Sequence, residues 1–149
     1  MKKTISLALL AATIFSCTAA FADSKPIIWE QIFHQGKRTE YYDKNNKPVL
    51  TPDKTIQAKI KVVDKDMLAD PDMVKNKVAY VIEMREFATD KPAFKPTAFF
   101  FYDAKDTLLH IEDIKDQTTM SPPFAQNTPP FNMWKKIVEK AGYKIEKSK

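Results

Sequence analysis

The chain has 149 residues, a formal net charge of +5 and 10 prolines against only 2 glycines. Two isolated glycines cannot form a glycine-rich phosphate loop, so nucleotide binding of that kind is excluded and no cofactor is expected. Only Arg38 and Arg85 are arginines, and because bidentate recognition of phosphate favours arginine, we expect no nucleic-acid partner.

The first 22 residues have the pattern of a bacterial secretory signal peptide. A basic start is followed by an apolar run, Thr4–Phe15, and by a small-x-small cleavage site that ends at Ala22. The run is shorter than the roughly 20 residues that a transmembrane helix needs, and no later segment comes close. We therefore predict a signal peptide over 1–22, a single domain over 23–149 and no transmembrane helix.

Cys17 allows an alternative, because a cysteine at the end of the apolar signal region can be the acylated residue of a lipoprotein. Phe15 fits a lipid-attachment site poorly, since the second residue before such a cysteine is usually small or aliphatic. Cleavage after Ala22 leaves a mature chain without cysteine, and therefore without disulfides or thiolate metal sites. The predicted location is the periplasm or the outer cell surface, with anchoring through Cys17 as the alternative.

Apolar and polar residues alternate with a period of two in the first half of the mature chain, which is typical of strands. An opening hairpin is predicted from Ile27–Phe33 and Arg38–Tyr42, around a turn at His34–Lys37. The alternation over Ile56–Val62 predicts a strand with one buried face and one solvent face.

Val78–Met84 repeats this alternation and predicts the next strand. In this strand Glu83 and Arg85 alternate with the apolar residues, so we expect both on the solvent face. The connecting residues 64–77 are rich in Asp and Asn, which predicts a surface loop with one short helical turn.

A second hairpin is predicted from Phe99–Tyr102 and Leu108–Ile111, around a four-residue turn at Asp103–Asp106. The order of these strands indicates an antiparallel meander. Proline is concentrated in two segments, Lys91–Pro96 and Ser121–Pro130, which we predict to be stiff loops and plausible contact surfaces.

A helix is predicted near the C-terminus, where Thr128 can cap, Pro129 suits the first helical position and Gly142 can end the helix. Its apolar stripe is expected to pack on the sheet and consists of Phe131, Trp134, Ile137, Val138 and Ala141. Tyr143–Ile145 is predicted to add a short strand. The predicted fold class is α+β, with an antiparallel sheet of about five to six strands packed against the C-terminal helix.

The sequence offers little catalytic chemistry. His34 and His110 are the only histidines, and no serine-hydrolase motif accompanies them. The acidic segment between Asp64 and Asp72 lacks the glycine and the distal glutamate of an EF-hand loop. We predict no catalytic residue, no metal site and no enzymatic activity.

Aromatic residues near turns and prolines are the candidates for contact with a partner. Most aromatic side chains fall on strand or helix positions where core packing explains them. Phe94, Phe124 and Tyr41 lie close to predicted turns or proline-rich loops. We predict these three as partner-binding residues.

At five residues the chain resembles the surface-adhesin protein E-like family, which consists of small exported proteins of Gram-negative bacteria. Trp29 lies in a first short strand, Tyr42 and Asp43 close the second, and Pro129 leads into a helix that bears Trp134. The resemblance covers most of the mature chain and implies an antiparallel sheet packed on a C-terminal helix. For the founding member it implies binding of host matrix or plasma proteins, a property that we carry onto no residue of this chain.

Two functions are compatible with these features. The first is an exported, non-enzymatic binding protein of the cell envelope, with an adhesin-like role as one form of it, which contacts a protein or an envelope or host polymer through loops and sheet edges. The second is a periplasmic small-ligand-binding or envelope-stress protein with an apolar pocket between helix and sheet. A fold of this kind does not by itself establish either function.

Overall fold

The structure, a computed structural model, describes residues 26–145, so the predicted signal peptide and Cys17 lie outside the described residues. Within this range the chain forms strands, helices and a 3-10 turn at Lys115–Gln117. The strands are β1 (Trp29–Gln35), β2 (Arg38–Asp43), β3 (Val49–Leu50), β4 (Thr55–Asp64), β5 (Tyr80–Ala88), β6 (Phe94–Tyr102) and β7 (Leu108–Asp113). The helices are α1 (Lys65–Leu68), α2 (Pro71–Lys75) and α3 (Pro129–Lys140).

The strands form one antiparallel sheet with the order β1-β2-β4-β5-β6-β7. The short strand β3 lies off this path and pairs with β4 at Ile56 and Gln57. The sheet is therefore a meander whose path begins at β1 and ends at β7. The predicted α+β class, an antiparallel sheet with a C-terminal helix, is confirmed, and β3 is a strand that the sequence pattern did not predict.

One face of the sheet, called here the helix face, is covered by α3. Alternate residues of β4 point to this face, and Ile56, Ile60 and Val62 are completely buried there. The helix residues buried against them are Met133, Trp134, Ile137 and Val138. Because burial of one large apolar side chain contributes about 1.5–3 kcal/mol, this helix–sheet contact is a main source of stability.

Helix α3 begins as predicted, with Pro129 in its first turn. Thr128 does not cap the helix through its side chain, because its hydroxyl donates to the Ala125 carbonyl oxygen instead. Gly142 follows the helix with φ +84°, a left-handed conformation that suits glycine. The buried stripe includes Met133, which the predicted stripe omits.

Strand β6 begins earlier than predicted, so the segment Lys91–Pro96 is only partly a loop. Phe94 and Lys95 already pair with β5. Pro96 cannot donate a hydrogen bond to a sheet ladder, and it is accommodated at a register shift opposite Met84 and Arg85.

Three further local predictions were wrong. His34 lies in β1 because the turn that follows is tight and begins at Gly36, which has φ +57°. The loop after β4 contains two short helices, because the carboxylates of Asp64 and Asp70 accept hydrogen bonds from their first backbone N–H groups. Tyr143–Ile145 forms no strand, since the Tyr143 N–H is used to close the end of α3.

Candidate functional site

The three residues predicted to contact a partner do not lie together. The rings of Phe94 and Phe124 touch, with centroids 5.3 Å apart. Tyr41 pairs with Lys61 in the neighbouring strand and lies on the opposite face of the sheet, because the adjacent Tyr42 points to the helix face. The predicted residues therefore belong to two separate surfaces.

Phe94 contributes to the core margin as well as to the surface. Its ring centroid lies 5.4 Å from that of Phe87, and the Arg85 guanidinium carbon lies 4.5 Å above the same ring. Phe87 is completely buried. Substitution of Phe94 consequently affects folding as well as any contact with a partner.

A network of five charged side chains lies on the helix face, and the sequence analysis missed it. Arg85 donates to both carboxylate oxygens of Glu40, at 2.7 and 2.9 Å, and to Glu83 at 2.7 Å. Arg38 donates to Glu40 at 2.7 Å and to Glu83 at 3.1 Å, and reaches Asp64 at 3.5 Å. Both arginines of the sequence are therefore held by carboxylates.

Burial and charge act in opposite directions on this network. Arg85 has 0% exposure and Glu40 3%. Burial alone raises the pKa of Glu40, but the charges and hydrogen bonds of Arg85 and Arg38 outweigh it and hold that pKa below its ordinary value. Burial likewise lowers the pKa of Arg85, but Glu83 and Glu40 raise it overall. Arg85 and Glu40 therefore carry opposite charges at neutral pH.

Two short sequence motifs indicate this network, and in each motif an arginine and a glutamate are two residues apart. Arg38 and Glu40 are two residues apart in β2, and Glu83 and Arg85 are two residues apart in β5, so each pair shares one face of its strand. The solvent position predicted for Glu83 and Arg85 is wrong, because both faces of β5 are buried. Mutual neutralisation allows these charges to face the helix.

The opposite face of the sheet carries a cluster of aromatic residues around Lys61. Its ammonium nitrogen lies 3.8 Å from the ring centroid of Tyr80 and 5.6 Å from that of Trp29. Tyr80 stacks on Tyr102 with centroids 5.1 Å apart, and its hydroxyl donates to Asp106 at 2.7 Å. Burial lowers the pKa of Lys61, with Asp106 opposing the shift. These contacts fix the cation over the rings.

A groove of about 710 Å³, called here the β7 groove, lies between α2 and the β6–β7 hairpin. Its apolar lining consists of Met73, Val78, Phe101 and Leu109. Its polar lining consists of Asp72, Asn76, His110 and Glu112. Sequence reasoning missed the groove because its lining comes from three segments that only the meander brings together.

Strand β7 borders this groove and ends the sheet. Its residues are exposed apart from Ile111, which is half-buried, and the side chains of Leu108 and Leu109 are each 41% exposed. Among residues 26–145, the strand order gives β7 a partner only on the β6 side. An exposed edge strand presents unpaired backbone N–H and C=O groups that can pair with another chain.

The two histidines lie in β1 and β7 and have separate contacts. The His34 Nδ1 atom lies 3.0 Å from the hydroxyl oxygen of Thr39, and the His110 ring packs at 5.7 Å from Phe101. Among residues 26–145, no group of three or more His, Cys, Asp or Glu side chains is arranged to hold a metal ion.

Within residues 26–145, no helix is long and apolar enough to cross a membrane.

We compared the chain with protein-family models, with curated proteins and with solved structures, and it matches none of them.

Proposed function

We propose that this protein is an exported, non-enzymatic binding protein of the bacterial cell envelope. It contacts a protein or polymer partner through the exposed edge of β7 and the β7 groove. The observation that carries the proposal is the position of this unpaired edge strand directly beside a groove with both apolar and carboxylate side chains. Such a combination supplies backbone hydrogen bonds, apolar contact and charge to one partner.

The exposed leucines of β7 support this use of the edge. Natural edge strands are commonly protected by lysine, proline, bulges or a covering segment. Leu108 and Leu109 instead expose apolar surface at the start of β7, although a register shift lies beside them. A partner that covers β7 would bury this surface.

A second candidate function, binding of an apolar ligand between helix and sheet, receives little support from the packing. Met133 is 1% exposed, and Ile137 and Val138 are 0% exposed at the helix–sheet contact. Close packing of this kind disfavours a ligand at this contact unless the helix moves.

Site-specific photo-crosslinking in the native bacterium tests the binding function. A photoreactive amino acid replaces Leu109 in the β7 groove and, as the matched control, Lys135 on the exposed side of α3. A discrete adduct from position 109 that is absent from position 135 supports the proposal. No adduct from position 109, or the same adducts from both positions, overturns it.

Antibody labelling of intact and permeabilised cells tests export separately. Labelling of intact cells places the protein on the outer surface and supports an adhesin-like role. Labelling only after permeabilisation of the outer membrane supports a periplasmic partner. Recovery of the protein in the cytoplasmic fraction with residues 1–22 still attached overturns the export part of the proposal.

A further inference from the structure

We propose that the β7 edge binds an extended peptide segment as an additional strand, and that basic side chains of this segment lie over the β7 groove. The inference rests on the proposed binding function and specifies the chemistry of its partner. The segment alternates basic and apolar residues, because alternate side chains of a strand point to opposite faces of a sheet. A second copy of this chain is the competing occupant that the experiments below separate from a peptide.

The direction of the backbone groups in β7 supports strand addition. The Ile114 N–H donates to the Thr97 carbonyl oxygen at 2.9 Å, just beyond the last residue of β7. Backbone hydrogen bonds alternate along an antiparallel strand, so the N–H and C=O groups of His110 and Glu112 also face β6. Those of Ile111 and Asp113 consequently point away from β6, where an added strand can pair with them.

The charge around the groove selects a basic segment. Asp72 and Glu112 line the groove from opposite sides, and Asp113 lies at the end of the same edge. These carboxylates contrast with a chain whose formal net charge is +5. The groove is therefore acidic although the chain as a whole is rich in lysine. It favours a cationic side chain of a partner and disfavours an anionic one.

The apolar side chains of the groove suit the stems of lysine or arginine. Phe101 packs its ring beside His110, with centroids 5.7 Å apart, and Val78 and Met73 continue the apolar surface towards α2. A lysine side chain can lay its methylene groups along such a surface while its ammonium group stays at the rim. In this arrangement the ammonium group meets Glu112 or Asp72.

The other edge of the sheet is less suited to the same partner. Strand β1 contacts α3, and Glu30 of β1 forms an ion pair with Lys136 of that helix. The carboxylate on this edge is therefore already engaged by a cation. A basic segment should therefore bind more tightly at β7, because Glu112 is exposed there and lies in the groove.

Peptide binding to the mature protein tests the inference directly. The probe is a fluorescein-labelled peptide of about eight residues that alternates lysine and valine, a length that matches a typical strand. A peptide in which glutamate replaces lysine is the charge control, and the lysine peptide with N-methylated backbone amides is the strand control. We expect saturable anisotropy changes with the lysine peptide alone, and at least tenfold weaker binding of both controls.

Variants of the protein locate the site. The double variant Asp72→Asn/Glu112→Gln should weaken the lysine peptide by about three- to fivefold at low salt, as expected for modest cross-strand charge pairs. Asp116→Asn, an exposed acidic residue after β7, is the matched control and should leave binding unchanged. All three substitutions lie at exposed positions, and circular dichroism verifies that each variant is folded.

Four outcomes would overturn the inference. Equal binding of the lysine and glutamate peptides would show that charge does not select the segment. Unchanged binding after N-methylation would show that the peptide does not bind as an added strand. Concentration-dependent dimerisation that Leu109→Lys abolishes, together with no peptide binding, identifies a second copy as the occupant. If the crosslink from position 109 forms in cells while no peptide binds, the peptide inference fails and the proposed binding function stands.

Discussion

Arg85 and Glu40 form a two-point ion pair beneath the C-terminal helix, and neither side chain is more than 4% exposed. The guanidinium group also touches the Met133 sulfur at 3.5 Å, so the pair lies at the contact between sheet and helix. Replacement of Glu40 leaves Arg85 buried with Glu83 as its remaining carboxylate partner, and the loss of hydrogen bonds to a charged group costs about 1.5–3 kcal/mol. We therefore expect Glu40→Gln to lower the free energy of unfolding by about that amount in urea denaturation at neutral pH.

The exposed ion pair between Lys37 and Asp66 provides the control for this substitution. Its side chains are 65% and 72% exposed, so solvent screens the attraction between the two charges. Asp66→Asn should therefore change the free energy of unfolding much less than Glu40→Gln does. Equal effects of Glu40→Gln and Asp66→Asn would contradict a stabilising role for the buried pair.

The same network makes stability dependent on acid. The pKa of Glu40 in the folded protein lies below its ordinary value of 4.5, so the unfolded chain takes up this proton at higher pH than the folded chain does. The stabilisation is fully present above about pH 4.5 and is lost as the pH falls through the lower folded pKa. Urea denaturation between pH 7 and pH 3 should show this loss.

Glu40→Gln distinguishes this titration from acid unfolding in general. The variant has no carboxylate at position 40, so its free energy of unfolding should fall less steeply than that of the wild-type protein below about pH 4.5. Parallel curves for the two proteins would show that Glu40 does not cause the acid dependence.

Period-two patterning was sufficient to predict the meander, because β4 alternates buried and half-buried residues with few exceptions. It failed for β5, where Glu83 and Arg85 were assigned to solvent although both faces of the strand are buried. A pattern of polarity cannot reveal that two charges neutralise each other in the fold. The β7 groove escaped prediction for a related reason, since Asp72 and Glu112 come to line one groove only through tertiary structure.

Phe94 and Phe124 should respond differently to truncation, although their rings touch. Phe94 packs on Phe87 and on Arg85, whereas the Phe124 ring packs on Phe94. We expect Phe94→Ala to lower the free energy of unfolding by about 2–4 kcal/mol and Phe124→Ala by about half as much or less. Thermal denaturation followed by circular dichroism measures both.

The stabilities of the Phe94→Ala and Phe124→Ala variants also determine what their effects on partner binding mean. If Phe124→Ala weakens crosslinking to a partner and remains stable, the loop before α3 is part of the contact surface. If the two variants are equally unstable, Phe124 belongs to the core margin together with Phe94, and neither substitution reports on binding.

Trp134 links the helix to the end of β5 through a buried hydrogen bond. Its indole N–H donates to the Ala88 carbonyl oxygen at 2.8 Å, and the residue is 3% exposed. Trp134→Phe keeps an aromatic ring but leaves that carbonyl without its donor, so we expect a loss of about 1–3 kcal/mol. Trp134→Ala also leaves a cavity and should cost about 3–5 kcal/mol.

Chemical denaturation followed by far-ultraviolet circular dichroism measures both Trp134 variants without relying on tryptophan fluorescence. Tyr143→Ala is a suitable control, because Tyr143 is 42% exposed just after the helix. A Trp134→Phe variant as stable as the wild-type protein would show that the hydrogen bond to Ala88 contributes nothing to stability.

Gly36 allows the tight turn between β1 and β2, and its backbone has φ +57°. No heavy atom lies within 4 Å of the position that a Cβ atom would occupy, so the cost of a side chain here is the backbone conformation itself. We expect Gly36→Ala to lower the free energy of unfolding by about 1 kcal/mol. Gly36→Asn should cost less, because asparagine adopts the left-handed region more readily than alanine does. Thermal midpoints that rank wild type, Asn variant and Ala variant in descending order agree with this account, whereas an Ala variant at least as stable as the Asn variant contradicts it.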